Sequence, residues 1–191
     1  KIIKDHPNVR LVIVGANSSL PGANDEEHIL RQMIAGYEEN ILLVGYLENP
    51  MEMINGFDIA TCSSASGHEG IPNSLIESMA AAKPVVSTSV DDIPELVVNG
   101  VTGILVPDGD VDAFADAIRM LVNDERLRLK MGTKGRDIVA NKFDITTQAA
   151  LYRDLYNQLL TERKSVFISS SRRFLFSLRL YAHLVYKQLR G

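Results

Sequence analysis

Glu69 and Glu77 stand eight residues apart in the stretch 68–77, His-Glu-Gly-Ile-Pro-Asn-Ser-Leu-Ile-Glu. An ionised carboxylate only accepts hydrogen bonds, and it can take two O–H donors at once. Two of them around a Gly-Ile-Pro-Asn turn, at the start of a helical pattern, suit a ligand rich in hydroxyl groups. The same residues also have a plain structural use. Ser74-Leu-Ile-Glu77 matches the capping box, in which the serine takes an amide and the glutamate reaches back. Gly70 and Pro72 are ordinary turn residues, and carboxylates near a helix start are favoured by the macrodipole. The stretch by itself leaves both readings open.

Its surroundings decide where it sits. Short β-branched runs recur at 9–14, 41–44, 58–61, 84–88 and 103–106. Each is too short for a helix and apolar throughout, the pattern of strands buried on both faces of a parallel sheet. Helical stripes lie between them: Ile29, Leu30, Met33, Ile34 and Tyr37; Leu75, Ile76, Met79 and Ala80; and Ala113, Phe114, Ala117, Ile118 and Leu121, with Asp110 or Asp112 placed as a cap. This alternation predicts an α/β fold, a doubly wound parallel sheet of Rossmann type built from right-handed βαβ units. After residue 107 only helical patterns follow, at about 110–122, 124–140 and 144–160, the last with Leu151, Tyr152, Leu155, Tyr156 and Leu159 on one stripe. In such folds ligands bind beyond the C-terminal ends of strands, near helix N-termini. Residues 68–77 follow the third strand and open a helix, so their position is that of a binding loop.

Composition narrows the class. A single cysteine, Cys62, excludes an intrachain disulfide and points to a reducing, cytoplasmic setting. The four histidines are scattered, with no Cys/His cluster of zinc type. No run of about 18 uncharged apolar residues is present. The chain begins at Lys1 in what reads as the middle of a helix, and the expectation is a piece of a longer protein. Charge divides it in two. Residues 161–191 hold seven Lys/Arg and one Glu, against thirteen and twenty-three in the rest, giving a +6 tail on a −10 body. The expected domains are 1–160, nucleotide-binding, and 161–191, a basic helical tail joined at Ser169–Ser171. In the tail Phe174, Leu178, Tyr181, Val185 and Leu189 form one stripe while Arg172, Arg179, His183, Lys187 and Arg190 lie elsewhere. That pattern suits peripheral contact of 172–190 with the inner face of a membrane; packing on another domain explains it equally. The acidic body argues against nucleic acid.

The stretch 69–88, Glu-Gly-Ile-Pro-Asn-Ser-Leu-Ile-Glu-Ser-Met-Ala-Ala-Ala-Lys-Pro-Val-Val-Ser-Thr, continuing through Ile93–Asp110, resembles the C-terminal donor-binding domain of family 4 retaining glycosyltransferases, which have the GT-B fold. The Glu-x7-Glu element falls on Glu69 and Glu77. Segments 6–15, 41–47 and 142–160 are similar to successive parts of that domain, so the resemblance covers residues 1 to about 160. It implies transfer of a sugar from a UDP-, GDP- or ADP-sugar to a glycan or lipid-linked acceptor, with retention and without a metal or other cofactor. It assigns Glu69 to the transferred sugar as the catalytic carboxylate, and Glu77 to the ribose hydroxyls. Gly70, Ile71 and Pro72 present backbone to the sugar. Asn73, Ser74 and Leu75 offer amides to the diphosphate, Gly15 lines the donor cleft, and Tyr46 stands at the nucleobase pocket. The phosphate-binding Arg and Lys of that family, and its N-terminal acceptor domain, have no counterpart in residues 1–191. The expectation is that this chain alone transfers no sugar and binds donor weakly.

Other features are weaker. Asp108-Gly109-Asp110 resembles a metal-binding Asp-x-Asp but follows a strand and precedes a helix, so a turn and cap explain it. Asp91 and Asp92 stand where the family usually has glycines; Asp91 reads as an acceptor contact or a helix cap. His68 reads as a bystander. Residues 14–22 lack Gly-x-Gly-x-x-Gly, which excludes a nicotinamide reading. Two other functions compete: a nucleotide-sugar epimerase of the same fold, and a non-catalytic α/β nucleotide-binding or signalling module.

Overall fold

The computed structural model describes residues 1–15, 23–67 and 70–166, with side chains described for 1–15, 28–67 and 70–160. Five short strands alternate with helices along most of the chain. Helix α1 (Ile2–Asp5) leads into β1 (Leu11–Val14). Helix α2 (Ala23–Met33) separates it from β2 (Ile41–Gly45). Helix α3 (Met51–Asn55) precedes β3 (Ala60–Cys62), α4 (Asn73–Ala80) precedes β4 (Val85–Thr88), and α5 (Ile93–Leu96) precedes β5 (Gly103–Val106). Three helices follow: α6 (Val111–Asn123), α7 (Glu125–Lys142) and α8 (Ile145–Val166). All five strand runs read from the sequence are strands, and every pairing is parallel. The fold is Rossmann-like α/β, with β1 paired to β2 and a second sheet in the order β3-β4-β5.

The two sheets differ in how far they are buried. All four residues of β4 are buried, because helices cover both of its faces. On one side Val86 and Val106 pack with Ala117 and Leu121 of α6 and Met131 of α7. On the other, α4 lies over β3 and β4, and its Leu75 and Met79 are buried. Each such side chain contributes roughly 1.5–3 kcal/mol relative to exposure. No residue of β1 or β2 is fully buried. Leu11 and Leu42 remain 43% and 57% exposed, so the apolar runs there do not carry the core.

The stripe expected on α2 differs in the same way. Ile29, Met33 and Tyr37 are exposed, whereas Leu30 and Ile34 are half-buried. The period is helical, but part of that apolar face is left in water. The stripe of α6 behaves as expected, with Ala117 and Leu121 inward.

Helix ends explain several boundaries. Asp110 caps α6 by accepting the Ala113 N–H at 2.9 Å, and Gly109, at φ +73°, turns the chain into that cap. The Asp-Gly-Asp segment is thus a turn and cap, as its context implied. Arg128 of α7 donates to the carbonyls of Leu121 and Val122, at 2.7 and 3.0 Å, closing the C-terminal end of α6 with a cation. Helix α1 is tied to α6 by ion pairs, Lys1 with Asp112 and Arg119 with Asp5.

The chain divides into two compact units, Lys1–Arg136 and Asp137–Gly191. The expected boundary near 160 lies inside α8, and the tail segment 172–190 and the expected hinge at 169–171 lie outside the described residues. Among the described residues no helix is long and apolar enough to cross a membrane.

Candidate functional site: the start of α4 and the loop before it

The start of α4 follows from local chemistry. Pro72 occupies the N-cap position in extended conformation, φ −65° and ψ 126°, and helical geometry begins at Asn73. Proline lacks an amide that would need a partner there. The Pro72 carbonyl accepts the Leu75 N–H at 3.1 Å and the Ile76 N–H at 3.3 Å. No side chain caps this end. The capping box read on Ser74 and Glu77 is therefore not formed. The helix begins too early for it, placing Ser74 inside the first turn rather than at the cap.

This leaves the first turn facing outward. Asn73 and Ser74 are exposed, Gly70 is exposed, and Ile71 is half-buried, while Pro72 is buried. Leu75 is 1% exposed and its amide is engaged by Pro72, so it anchors the helix while Asn73 and Ser74 present its N-terminus. The positive end of the dipole and the first-turn amides make such a surface suitable for an anion. Glu77 is half-buried on the helix just inside it.

The other residues singled out fall at a second place. Gly15, at φ +137°, follows β1, and its amide donates to the Gly45 carbonyl at 2.9 Å. Tyr46 follows β2 directly and is 75% exposed. Both residues sit at the C-terminal ends of strands, on the sheet that does not contain β3. Glu69 and His68 lie outside the described residues. Among the described residues no group of three His, Cys, Asp or Glu side chains is placed to hold a metal ion.

Sequence reading missed the supports of the loop between β3 and α4. Thr88, the last residue of β4, donates its hydroxyl to the Ser64 carbonyl at 2.7 Å. Asp91 accepts the Gly67 N–H with both carboxylate oxygens, at 2.8 and 3.1 Å. Asp108 accepts the Ser66 N–H at 3.2 Å. These partners are 24 to 42 residues apart, and no periodicity marks them. The available signal was positional: each lies at or just past the C-terminal end of β4 or β5.

Comparison with known proteins gives this geometry a family. The model of Glycosyl transferases group 1 matches residues 1–124. The chain belongs to that family. It is 30% identical over 161 residues to the capsular polysaccharide biosynthesis glycosyltransferase CapM of Staphylococcus aureus, covering 84% of this chain and 41% of the relative. Among solved structures it is similar to Anabaena Alr3699/HepE in complex with UDP-glucose, at 26% identity and a TM-score of 0.68, over 83% of this chain and 41% of that one. It is also similar to the C-terminal domain of a group 1 glycosyl transferase, LpcC, from Francisella tularensis, at 29% identity and a TM-score of 0.65. That match covers 75% of this chain and 74% of that domain. The chain thus spans about two fifths of the length of CapM and HepE, and its α/β fold is that of the GT-B glycosyltransferases.

Proposed function

We propose that this chain is the donor-binding part of a retaining, family 4 glycosyltransferase that moves a hexose from a nucleotide sugar to a glycan or lipid-linked acceptor. The observation that carries the proposal is the first turn of α4. Its Asn73 and Ser74 are exposed, no side chain caps it, and Glu77 lies one turn further along the same helix. A nucleotide sugar matches these groups part by part. The amides of Asn73 and Ser74 take the diphosphate, and their dipole favours the charge that grows as it leaves. Glu77 accepts the ribose hydroxyls. Gly70 and Ile71 lie against the sugar, with Glu69 as the carboxylate that meets it. Gly15 and Tyr46 line the nucleotide end. In the reaction the bond from the anomeric carbon to the diphosphate breaks, a bond to an acceptor oxygen forms, and the acceptor proton is lost. No step needs a metal.

A UDP-sugar is the preferred donor among UDP-, GDP- and ADP-sugars, since HepE, a relative of the same fold, has been solved with UDP-glucose. The acceptor is held by a further domain, so these 191 residues bind donor weakly and transfer no sugar. Action is on the cytoplasmic side, with the basic tail at the membrane surface or against that domain.

Thermal shift of the chain with UDP-, GDP- and ADP-sugars tests the reading, with Glu77→Ala as control. Stabilisation by one nucleotide class, lost in the variant, is expected. No response to any of them would favour a non-catalytic module, and robust transfer by the 191-residue chain would overturn the assignment of the acceptor to another domain.

A further inference from the structure

The loop from β3 to α4 leads to the carboxylate of the proposed site, and its first part, residues 63–67, is held by three groups from the ends of two strands, β4 and β5. Thr88 fixes the Ser64 carbonyl, Asp108 the Ser66 amide, and Asp91 the Gly67 amide. Asp91 is the unusual member. Its backbone is left-handed at φ +46°, a conformation adopted among the described non-glycine residues only by Asp91 and Ala82. Glycine adopts it freely, while a side chain raises its energy. A non-glycine residue kept there needs a compensating interaction. The compensation is visible: two contacts from one carboxylate to one amide, at 2.8 and 3.1 Å, charge-assisted and bifurcated. The amide they hold belongs to Gly67, itself at φ +84°, two residues before Glu69 in sequence.

We propose that Asp91 is a positioning residue, which fixes the Gly67 turn so that the chain enters the sugar end of the donor site in one conformation, with Asp108 as its second support. It acts through Gly67 and touches no reacting atom. The consequence for donor rests on the glycosyltransferase reading, but the clamp itself does not.

Two substitutions separate a clamp from a turn residue. Asp91→Gly suits the left-handed backbone better than aspartate does and removes the carboxylate. Asp91→Asn tolerates the backbone and keeps one acceptor oxygen. In the labelled 191-residue chain, Gly67 amide exchange followed by NMR is expected to speed up about tenfold in Asp91→Gly, the scale of losing one hydrogen bond to a charged group. Asp91→Asn should fall between. The melting temperature of Asp91→Gly should hold or rise, which a merely structural role for the carboxylate would not allow. Calorimetry with UDP and with UDP-glucose should show UDP affinity within about twofold of wild type, while UDP-glucose loses at least about fivefold. Gly67 exchange unchanged in Asp91→Gly overturns the clamp. Parallel loss of both affinities overturns the positioning role. If wild type binds neither nucleotide, the donor reading falls, and Gly67 exchange alone decides whether the clamp stands.

Discussion

Two glycines on α7 make a controlled experiment on how that helix seats against α4. Gly132 and Gly135 are both buried and nearly one turn apart. A methyl added at Gly132 would lie 2.7 Å from the Ala82 carbonyl carbon and nearer still to its oxygen. A methyl at Gly135 would meet the Met79 side chain at 3.4 Å, an ordinary contact with a flexible group. In both variants alanine raises helix propensity by about 1 kcal/mol. At Gly135 little opposes that gain, so Gly135→Ala should stabilise by up to about 1 kcal/mol. At Gly132 the obstacle is backbone, which no rotamer change can clear. Overpacking of that kind costs about 3 kcal/mol, the upper end of its usual range, for a net loss of about 2 kcal/mol. With a urea slope of about 2 kcal/mol per molar, the midpoints should move down by about 1 M and up by about 0.5 M. Urea unfolding followed by circular dichroism reads both. Shifts of the same sign, or within about 1 kcal/mol of each other, would refute the reasoning, because they would mean α7 does not lie against the C-terminal end of α4 as described.

Two further outcomes follow from helix ends. Asp110→Ala removes the 2.9 Å cap of α6 and should destabilise by about 1 kcal/mol, with Asp110→Asn close to wild type; thermal unfolding separates the two. The Lys1 ammonium, bonded to Asp112, holds that carboxyl below its ordinary value, chiefly through the hydrogen bond and then through charge. Since the folded-state value is the lower one, the contribution is present above the unfolded value near 4 and is lost as pH falls through the depressed one. A carboxyl-carbon NMR titration should place Asp112 low in wild type and at an ordinary value in Lys1→Met; an identical titration in both would discount the pair.

The elements were legible wherever the pattern reflected burial on both faces. Val85–Thr88 reads as a strand because helices cover both its faces, and Gly103–Val106 pairs with it in parallel and lies against α6. The α6 stripe was legible for the same reason. At α4 the sequence showed a helix start but not its phase. Ser-x-x-Glu is a local pattern, and it matches whether or not Pro72, two residues earlier, has already begun the turn. The α2 stripe misled in another way: Ile29 and Met33 carry the right period, yet period records amphipathicity and not whether anything lies opposite. The positions of Asp91 and Asp108 past strand ends were legible but their partners were not, since a carboxylate finds Gly67 or Ser66 only after three strands have been aligned in parallel.

That alignment links the site to its supports. In a parallel sheet all strand C-termini lie along one edge, which is why ligands collect there. The same geometry brings the first residues beyond β4 and β5 beside the loop that leaves β3. A carboxylate at that edge can be directed at the neighbouring loop when that loop's amides occupy its oxygens. Asp91 and Asp108 are occupied, by Gly67 and Ser66. Glycine in place of Asp91 would make the same turn with less strain but would hold nothing. The strained aspartate therefore makes sense only if the conformation of the neighbouring loop matters more to this chain than the small cost of the turn, and that loop is the one that leads to Glu69.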